Sequence, residues 1–162
     1  RSVLIAALWL VGACQAFGQK NVPHPIEVTV ESARLEHHVK YNDKYWMVIH
    51  AKFRIKNADE TPLKMFAYFY NDDDGKPLKA DTDYSAKYRT TSGQVSSTVD
   101  FTPDRDDAVY SDFKIYIPYE AMNLDSTPGN EFQLKFYLSI YDPDEKEHVG
   151  KSGYYKFSLS YK

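Results

Sequence analysis

The feature that most constrains the fold of this chain is an alternation of apolar and polar residues that recurs in several short segments. It is clearest in two of them, whose apolar positions are Phe132, Leu134, Phe136, Leu138 and Ile140, and Met47, Ile49, Ala51, Phe53 and Ile55. Successive side chains of a β-strand point to opposite faces, so a period of two predicts a strand with one buried face. An amphipathic helix would instead place apolar residues three or four positions apart.

Further segments carry the same signal at residues 26–30, 64–70, 94–101, 113–117 and 154–161, with turn-forming residues between them. The pattern slips near Ser32, so residues 35–42 either continue the first strand beyond a bulge or begin another. Residues 64–70 are apolar on both faces, which is typical of a central strand or of an aromatic surface. Residues 142–150 are interpreted as a connection, residues 79–93 as a loop, and Pro118 as the first residue of one helical turn.

Seven to eight short strands without intervening helices predict an all-β fold, an antiparallel two-sheet sandwich of immunoglobulin-like or C2-like type. A closed barrel is the alternative architecture. Residues 19–162 have the size of one domain, and neither a repeat nor a low-complexity linker divides them. Aromatic residues make up 15% of the chain, a composition that suits strands.

Residues 1–18 have the pattern of a secretory signal peptide, with a basic start, an apolar run at residues 3–11 and small residues at its exit. Cleavage after Gly18 would release a chain that begins at Gln19. Residues 11–13 followed by Cys14 also resemble a bacterial lipobox, in which the cysteine is acylated and tethers the protein to a membrane. We therefore expect an exported protein, located in the periplasm, on the cell surface or outside the cell. A lipid on Cys14 would be its only membrane contact.

Charge and cysteine content restrict the chemistry further. The chain has a formal net charge of −3 and no basic patch, which argues against nucleic acid as a partner. Cys14 is the only cysteine, so a mature chain cleaved after Gly18 has no disulfide and must depend on core packing.

Aromatic residues supply the first candidate site. If Met65 and its alternate neighbours face the core, then Phe66 and the tyrosines beside it face outward, as do Tyr116 and two tyrosines on other strands. Flat aromatic rings can stack on the apolar faces of sugars, which makes these side chains candidates for ligand binding. They are equally suited to stabilising the sheet as cross-strand pairs. The candidate ligand-binding residues are Tyr68, Tyr70, Tyr137 and Tyr141.

Acidic loops supply the second candidate site, because carboxylate oxygens on loops are the ligands that calcium prefers. The candidate metal ligands are Asp72, Asp74, Asp142 and Asp144. Residues 138–144 with residues 148–151 resemble the third calcium loop of C2 domains, where a strand ends in Asp-x-Asp and re-enters through an apolar residue and glycine. The resemblance implies calcium-dependent binding through these loops. The simpler interpretation is that aspartate occupies turns because turns favour it.

The histidines at positions 24, 37, 38, 50 and 148 form no recognisable catalytic pattern, and we predict no catalytic residues. Taken in order, residues 67–70, 74–78, 93–95 and 117–120 resemble small uncharacterised β-sandwich modules of exported bacterial proteins. The hypothesis is therefore a non-enzymatic exported binding domain without a cofactor, which recognises a protein or a glycan. A calcium-dependent C2-like module is the alternative.

Overall fold

A computed structural model describes residues 24–162, in which eight strands form two antiparallel sheets packed face to face. The strands are β1 (Glu27–Tyr41), β2 (Lys44–Lys56), β3 (Leu63–Asn71), β4 (Ser96–Phe101), β5 (Asp107–Pro118), β6 (Glu131–Asp142), β7 (Glu147–Lys151) and β8 (Tyr155–Ser160). The first sheet has the order β1-β2-β5, and the second has the order β4-β3-β6, with β7 and β8 both beside β6. The predicted all-β antiparallel sandwich is confirmed. No helix within residues 24–162 is long and apolar enough to cross a membrane.

The order of the strands is that of an immunoglobulin-like sandwich. Strand β2 pairs with β5 and β3 pairs with β6, so the chain changes sheet after β2, after β4 and after β5. In the immunoglobulin constant-type arrangement the fourth strand lies beside the fifth, whereas here β4 pairs with β3 and forms an edge of the second sheet. The signal peptide and Cys14 lie outside the described residues.

The predicted core positions are confirmed by burial. Met47, Ile49, Phe53 and Ile55 of β2 are fully buried, and the alternate apolar residues of β6 are buried against them from the other sheet. Burial of a large apolar side chain stabilises the folded state by roughly 1.5–3 kcal/mol. With no cysteine in residues 24–162, this apolar core is the main source of stability.

Strand β1 continues past both irregularities in its alternation. Its register against β2 shifts between Val30 and Ser32 and again between Glu36 and Val39. His38 adopts a left-handed backbone at the second shift, with φ of 58°, and its N–H donates to the hydroxyl of Tyr119 at 3.2 Å. The bulge is thus tied to the 3-10 turn Tyr119–Met122, which the sequence predicted and which follows Pro118 as its N-cap.

Two expectations in the connecting segments were wrong in detail. Residues 79–93 contain a 3-10 turn, Ala86–Tyr88, that buries Tyr88. Strand β7 (Glu147–Lys151) includes residues 147–150, which we predicted to belong to a connection, because β6 is long enough to pair with two consecutive segments. Ser152 bridges these segments by donating its N–H to the carbonyl of Leu138 and accepting the Leu138 N–H at its hydroxyl, both at 2.8 Å.

Candidate functional site

The outer surface of the second sheet carries a continuous aromatic cluster, which we call the aromatic face. Strand β3 lies between β4 and β6. Alternate side chains of β3 are buried in the core, and the side chains between them lie on the outer surface of the sheet. Tyr68 and Tyr137 are direct cross-strand partners. The structure brings all four predicted tyrosines to this face. Its members are Phe66, Tyr68, Tyr70, Tyr137, Tyr141, His148 and Tyr154.

One end of the aromatic face is built from mutually contacting tyrosines. The ring centroid of Tyr137 lies 5.3 Å from that of Tyr68, 5.9 Å from that of Tyr70 and 5.6 Å from that of Tyr154. Tyr70 and Tyr154 meet edge to face at 5.6 Å. Such tilted and edge-to-face pairs are the favoured geometries of aromatic rings, and they hold one another in fixed positions. Tyr154 is the most accessible of these rings, at 55% exposed.

The other end is organised around His148. The rings of Phe66 and Tyr68 stack at 5.4 Å, and Tyr141 lies 5.0 Å from the imidazole of His148. Beneath them the hydroxyl of Ser139, which is only 3% exposed, contacts Nδ1 of His148 at 2.7 Å. The contact between Ser139 and His148 fixes the imidazole at the edge of the face.

Sequence reasoning missed His148 and Tyr154 as members of the face. Both lie in the segment from β7 to β8, and only the pairing of that segment with β6 shows on which side they fall. Tyr116, which the alternation also directed outward, lies in β5 of the first sheet and does not join the face. One sequence signal did identify part of the face: β3 carries apolar or aromatic residues on both of its sides, which is typical of a strand with an aromatic outer surface.

The hydroxyls of Tyr68 and Tyr137 remain protonated well above neutral pH. Burial, with the neighbouring hydroxyls of Tyr70 and Tyr68 adding to it, raises the pKa of Tyr137 to about 12. Burial is also the main reason that the pKa of Tyr68 is raised. Neutral hydroxyls both donate and accept hydrogen bonds, so the face presents flat rings together with polar groups.

The charges at one edge of the face are paired. The ammonium group of Lys135 lies 4.9 Å from the ring centroid of Tyr154 and 3.4 Å from a carboxylate oxygen of Asp72. The second oxygen of Asp72 lies 3.1 Å from Lys156, and the hydrogen bond from Lys156 is the largest cause of the lowered pKa of Asp72. This edge therefore carries an ion-pair network in which two ammonium groups share one carboxylate.

The four candidate metal ligands are not brought together. The N–H of Asp72 donates to Gln133 near the start of β6, whereas Asp142 ends that strand, and nine strand residues span roughly 30 Å. Asp74 accepts the N–H of Lys76, and Asp142 accepts the N–H groups of the two residues that follow Pro143. These carboxylates stabilise turns, and no group of His, Cys, Asp or Glu in residues 24–162 is placed to hold a metal ion.

A buried histidine on the outer side of the first sheet has the appearance of a catalytic base but lacks a free nitrogen. Nδ1 of His50 lies 2.5 Å from Asp112, and Nε2 lies 2.8 Å from Glu36. Each ring nitrogen of His50 therefore already has a carboxylate partner. This arrangement links β1, β2 and β5, and it leaves neither ring nitrogen free to contact a substrate.

The fold and the aromatic face together define an immunoglobulin-like β-sandwich domain with one aromatic outer surface. No protein-family model and no curated protein matches the sequence. Two solved structures of Bacteroides uniformis β-glucuronidases are similar to the chain at 8% and 10% identity, each with a TM-score of 0.38. One of these is β-glucuronidase 2 covalently bound to cyclophellitol-6-carboxylate aziridine.

The chain covers its structural neighbours to very different extents. The glucuronidase alignments include 85% of this chain but only 13% of each enzyme chain. A Northeast Structural Genomics Consortium target aligns over 83% of this chain and 86% of its own, at 12% identity and a TM-score of 0.27. Likenesses this remote carry no argument about function.

Proposed function

We propose that the protein is a non-enzymatic binding domain and that its aromatic face contacts a neutral glycan chain. The observation that carries the proposal is the contact between Tyr68, Tyr70, Tyr137 and Tyr154, which holds four rings on the outer surface of one sheet. Rings that support one another in this way lose little conformational freedom when a ligand binds.

The chemistry of the face suits a sugar. The carbon-bound hydrogens of a pyranose form apolar patches that pack against aromatic rings, and its hydroxyls need hydrogen-bond partners beside those rings. The protonated hydroxyls of Tyr68 and Tyr137 are such partners. The contact surface itself consists of aromatic rings, and the ammonium of Lys135 beside Tyr154 already has Asp72 as its partner, which supports a neutral glycan as the ligand.

A protein partner is the second candidate. Tyrosine is among the residues most enriched in the energetic centres of protein interfaces, and these centres are surrounded by polar groups. The exposure of Tyr154, with Lys156 and Asp72 nearby, is compatible with such an interface.

The experiment is a binding screen against soluble neutral polysaccharides by affinity electrophoresis, with Tyr68→Ala/Tyr137→Ala as the test variant. Tyr45→Ala is the matched control, because Tyr45 is 53% exposed on the first sheet and far from the aromatic face. Loss of retardation in the double variant but not in the control supports the proposal. Equal retardation of all three proteins, or no retardation of the unaltered protein by any glycan, contradicts it.

The second part of the proposal is that the protein is exported, and it rests on the predicted signal peptide at residues 1–18. A basic start, an apolar run and small residues at positions 16 and 18 support secretion with cleavage before Gln19, and Cys14 supports lipid attachment as the alternative. The mass of the mature protein separates these two routes, because acylation at Cys14 adds lipid and retains residues 14–18. An unprocessed leader would contradict both.

A further inference from the structure

A groove of about 490 Å³ opens between the first sheet and the edge strand β4 of the second sheet. The ends of β1 and β2, the outer side of β5, the 3-10 turn Ala86–Tyr88 and the edge strand β4 form its walls. This volume falls within the range of about 300–1,000 Å³ typical of small-molecule sites. None of the residues that form the aromatic face lines the groove, and the groove has no part in the function proposed above.

Aromatic rings line the groove, and one of them is locked in place. The indole N–H of Trp46 donates to the carbonyl of Tyr41 at 3.2 Å, and Tyr88 packs against the indole edge to face at 6.4 Å. Because its only donor is already used, Trp46 offers a ligand an apolar ring surface. Tyr41 and Tyr116 extend this surface and are 64% and 45% exposed.

The polar character of the groove is cationic. Lys40 and Lys87 line it, whereas no aspartate or glutamate does, although the chain as a whole has a net charge of −3. Within the described part of the chain Lys87 makes no ion pair, and its ammonium lies 5.6 Å from the ring centroid of Tyr88. Lys40 lies 3.8 Å from Asp43, a fully exposed carboxylate that water screens effectively.

We propose that this groove binds an acidic sugar, a pyranose ring that carries a carboxylate. The ring would pack on Trp46 and Tyr116, and its carboxylate would accept hydrogen bonds from Lys40 and Lys87. The unpaired ammonium of Lys87 and the ammonium of Lys40, whose one partner is a fully exposed carboxylate, are complementary to a ligand that has an apolar face and a negative charge. The limited volume favours one or two sugar rings over an extended acidic peptide.

The test is isothermal titration calorimetry of the purified protein with digalacturonate and with its methyl ester. The two probes share their ring faces and differ in charge, so we expect digalacturonate to bind at least about tenfold more tightly than the ester, a difference of about 1.4 kcal/mol. Lys40→Gln/Lys87→Gln should remove that preference. The matched control is Lys76→Gln/Lys151→Gln, which neutralises two exposed lysines, one in the loop after β3 and one at the end of β7.

Two further variants separate this site from the aromatic face. Tyr116→Ala should weaken digalacturonate binding, whereas Tyr68→Ala/Tyr137→Ala should leave it unchanged. Equal affinity for acid and ester, an unchanged preference in Lys40→Gln/Lys87→Gln, or no measurable binding of digalacturonate overturns the proposal. Binding of a hexaglutamate peptide in preference to digalacturonate also overturns it, since the groove would then accept an acidic chain rather than a sugar.

Discussion

The hydroxyl of Ser139 contacts Nδ1 of His148 from beneath the aromatic face, at 2.7 Å, and thereby fixes the imidazole against the ring of Tyr141. Ser139 is buried opposite Phe66 on the neighbouring strand, so its hydroxyl has few other partners than the histidine and the carbonyl of Gly150. The small polar side chain of Ser139 thus determines the position of the larger, exposed imidazole of His148.

Replacing this serine should loosen one end of the aromatic face. We expect Ser139→Ala to lower the free energy of unfolding by about 0.5–1.5 kcal/mol, the usual contribution of one hydrogen bond. It should also broaden the ring signals of His148 in NMR spectra. Ser158→Ala, on the exposed side of β8, is the control and should change neither quantity. An unaltered His148 spectrum in Ser139→Ala would show that the rings alone hold the imidazole.

The close packing of β1 on β7 depends on a glycine. A Cβ added at Gly150 would overlap the Cβ of Val28 and lie 2.9 Å from its Cγ2. We expect Gly150→Ala to destabilise the fold by about 1–3 kcal/mol in urea denaturation, as overpacked cores do. Gly153→Ala is a matched control, because nothing lies within 4 Å of its added Cβ. Gly150→Ala should cost less in a Val28→Gly background, which lacks the overlapping Cβ, and an equal cost in both backgrounds would place the strain elsewhere.

Acid should remove the contribution of Asp112 to the stability of the folded protein. The hydrogen bond from His50 holds the pKa of Asp112 below its ordinary value of about 3.9. A carboxyl group whose pKa is lowered by folding stabilises the protein above that ordinary value, and the stabilisation disappears as the pH falls through the folded-state pKa. We therefore expect Asp112→Asn to lower the melting temperature at pH 7. Near pH 2 the melting temperatures of the variant and the unaltered protein should converge. Asp83→Asn, in an exposed loop, is the control and should have the melting temperature of the unaltered protein at every pH.

Calcium should have no effect on thermal stability. Asp72 and Asp142 lie at opposite ends of the second sheet, and their carboxylates already accept hydrogen bonds from lysines or backbone N–H groups. A bound ion stabilises the folded state in proportion to its occupancy, so equal melting temperatures with calcium and with chelator are expected. A rise of several degrees with calcium would instead favour the C2-like alternative.

Much of the fold followed from local patterns. The alternation in β2 and β6 predicted both strands and their buried faces, because side-chain direction in a strand depends only on position along it. The slip near Ser32 indicated a bulge, and Pro118 indicated the turn that follows it. Strand β7 escaped prediction because Val149 is its single large apolar residue, which leaves no alternation to detect.

The candidate site could be predicted only in part, for the same reason. Tyr68 and Tyr70 share a face by virtue of spacing within one strand, whereas their contact with Tyr137 depends on the register of β3 against β6. The places of His148 and Tyr154 depend in addition on which side of β6 the last segments pair. The groove could not be predicted from the sequence, because Trp46, Lys87 and Tyr116 come from separate parts of the chain.

The sequence by itself determined that this chain forms short antiparallel strands around an apolar core, since a period of two is a local property that survives any choice of partners. Only the tertiary structure decided between immunoglobulin-like and C2-like order, joined His148 to the tyrosines, and separated Tyr116 from them. Each of these depends on which strands pair and in which register. A strand's alternation is the same whichever neighbour it pairs with, so non-local pairing cannot be read from it.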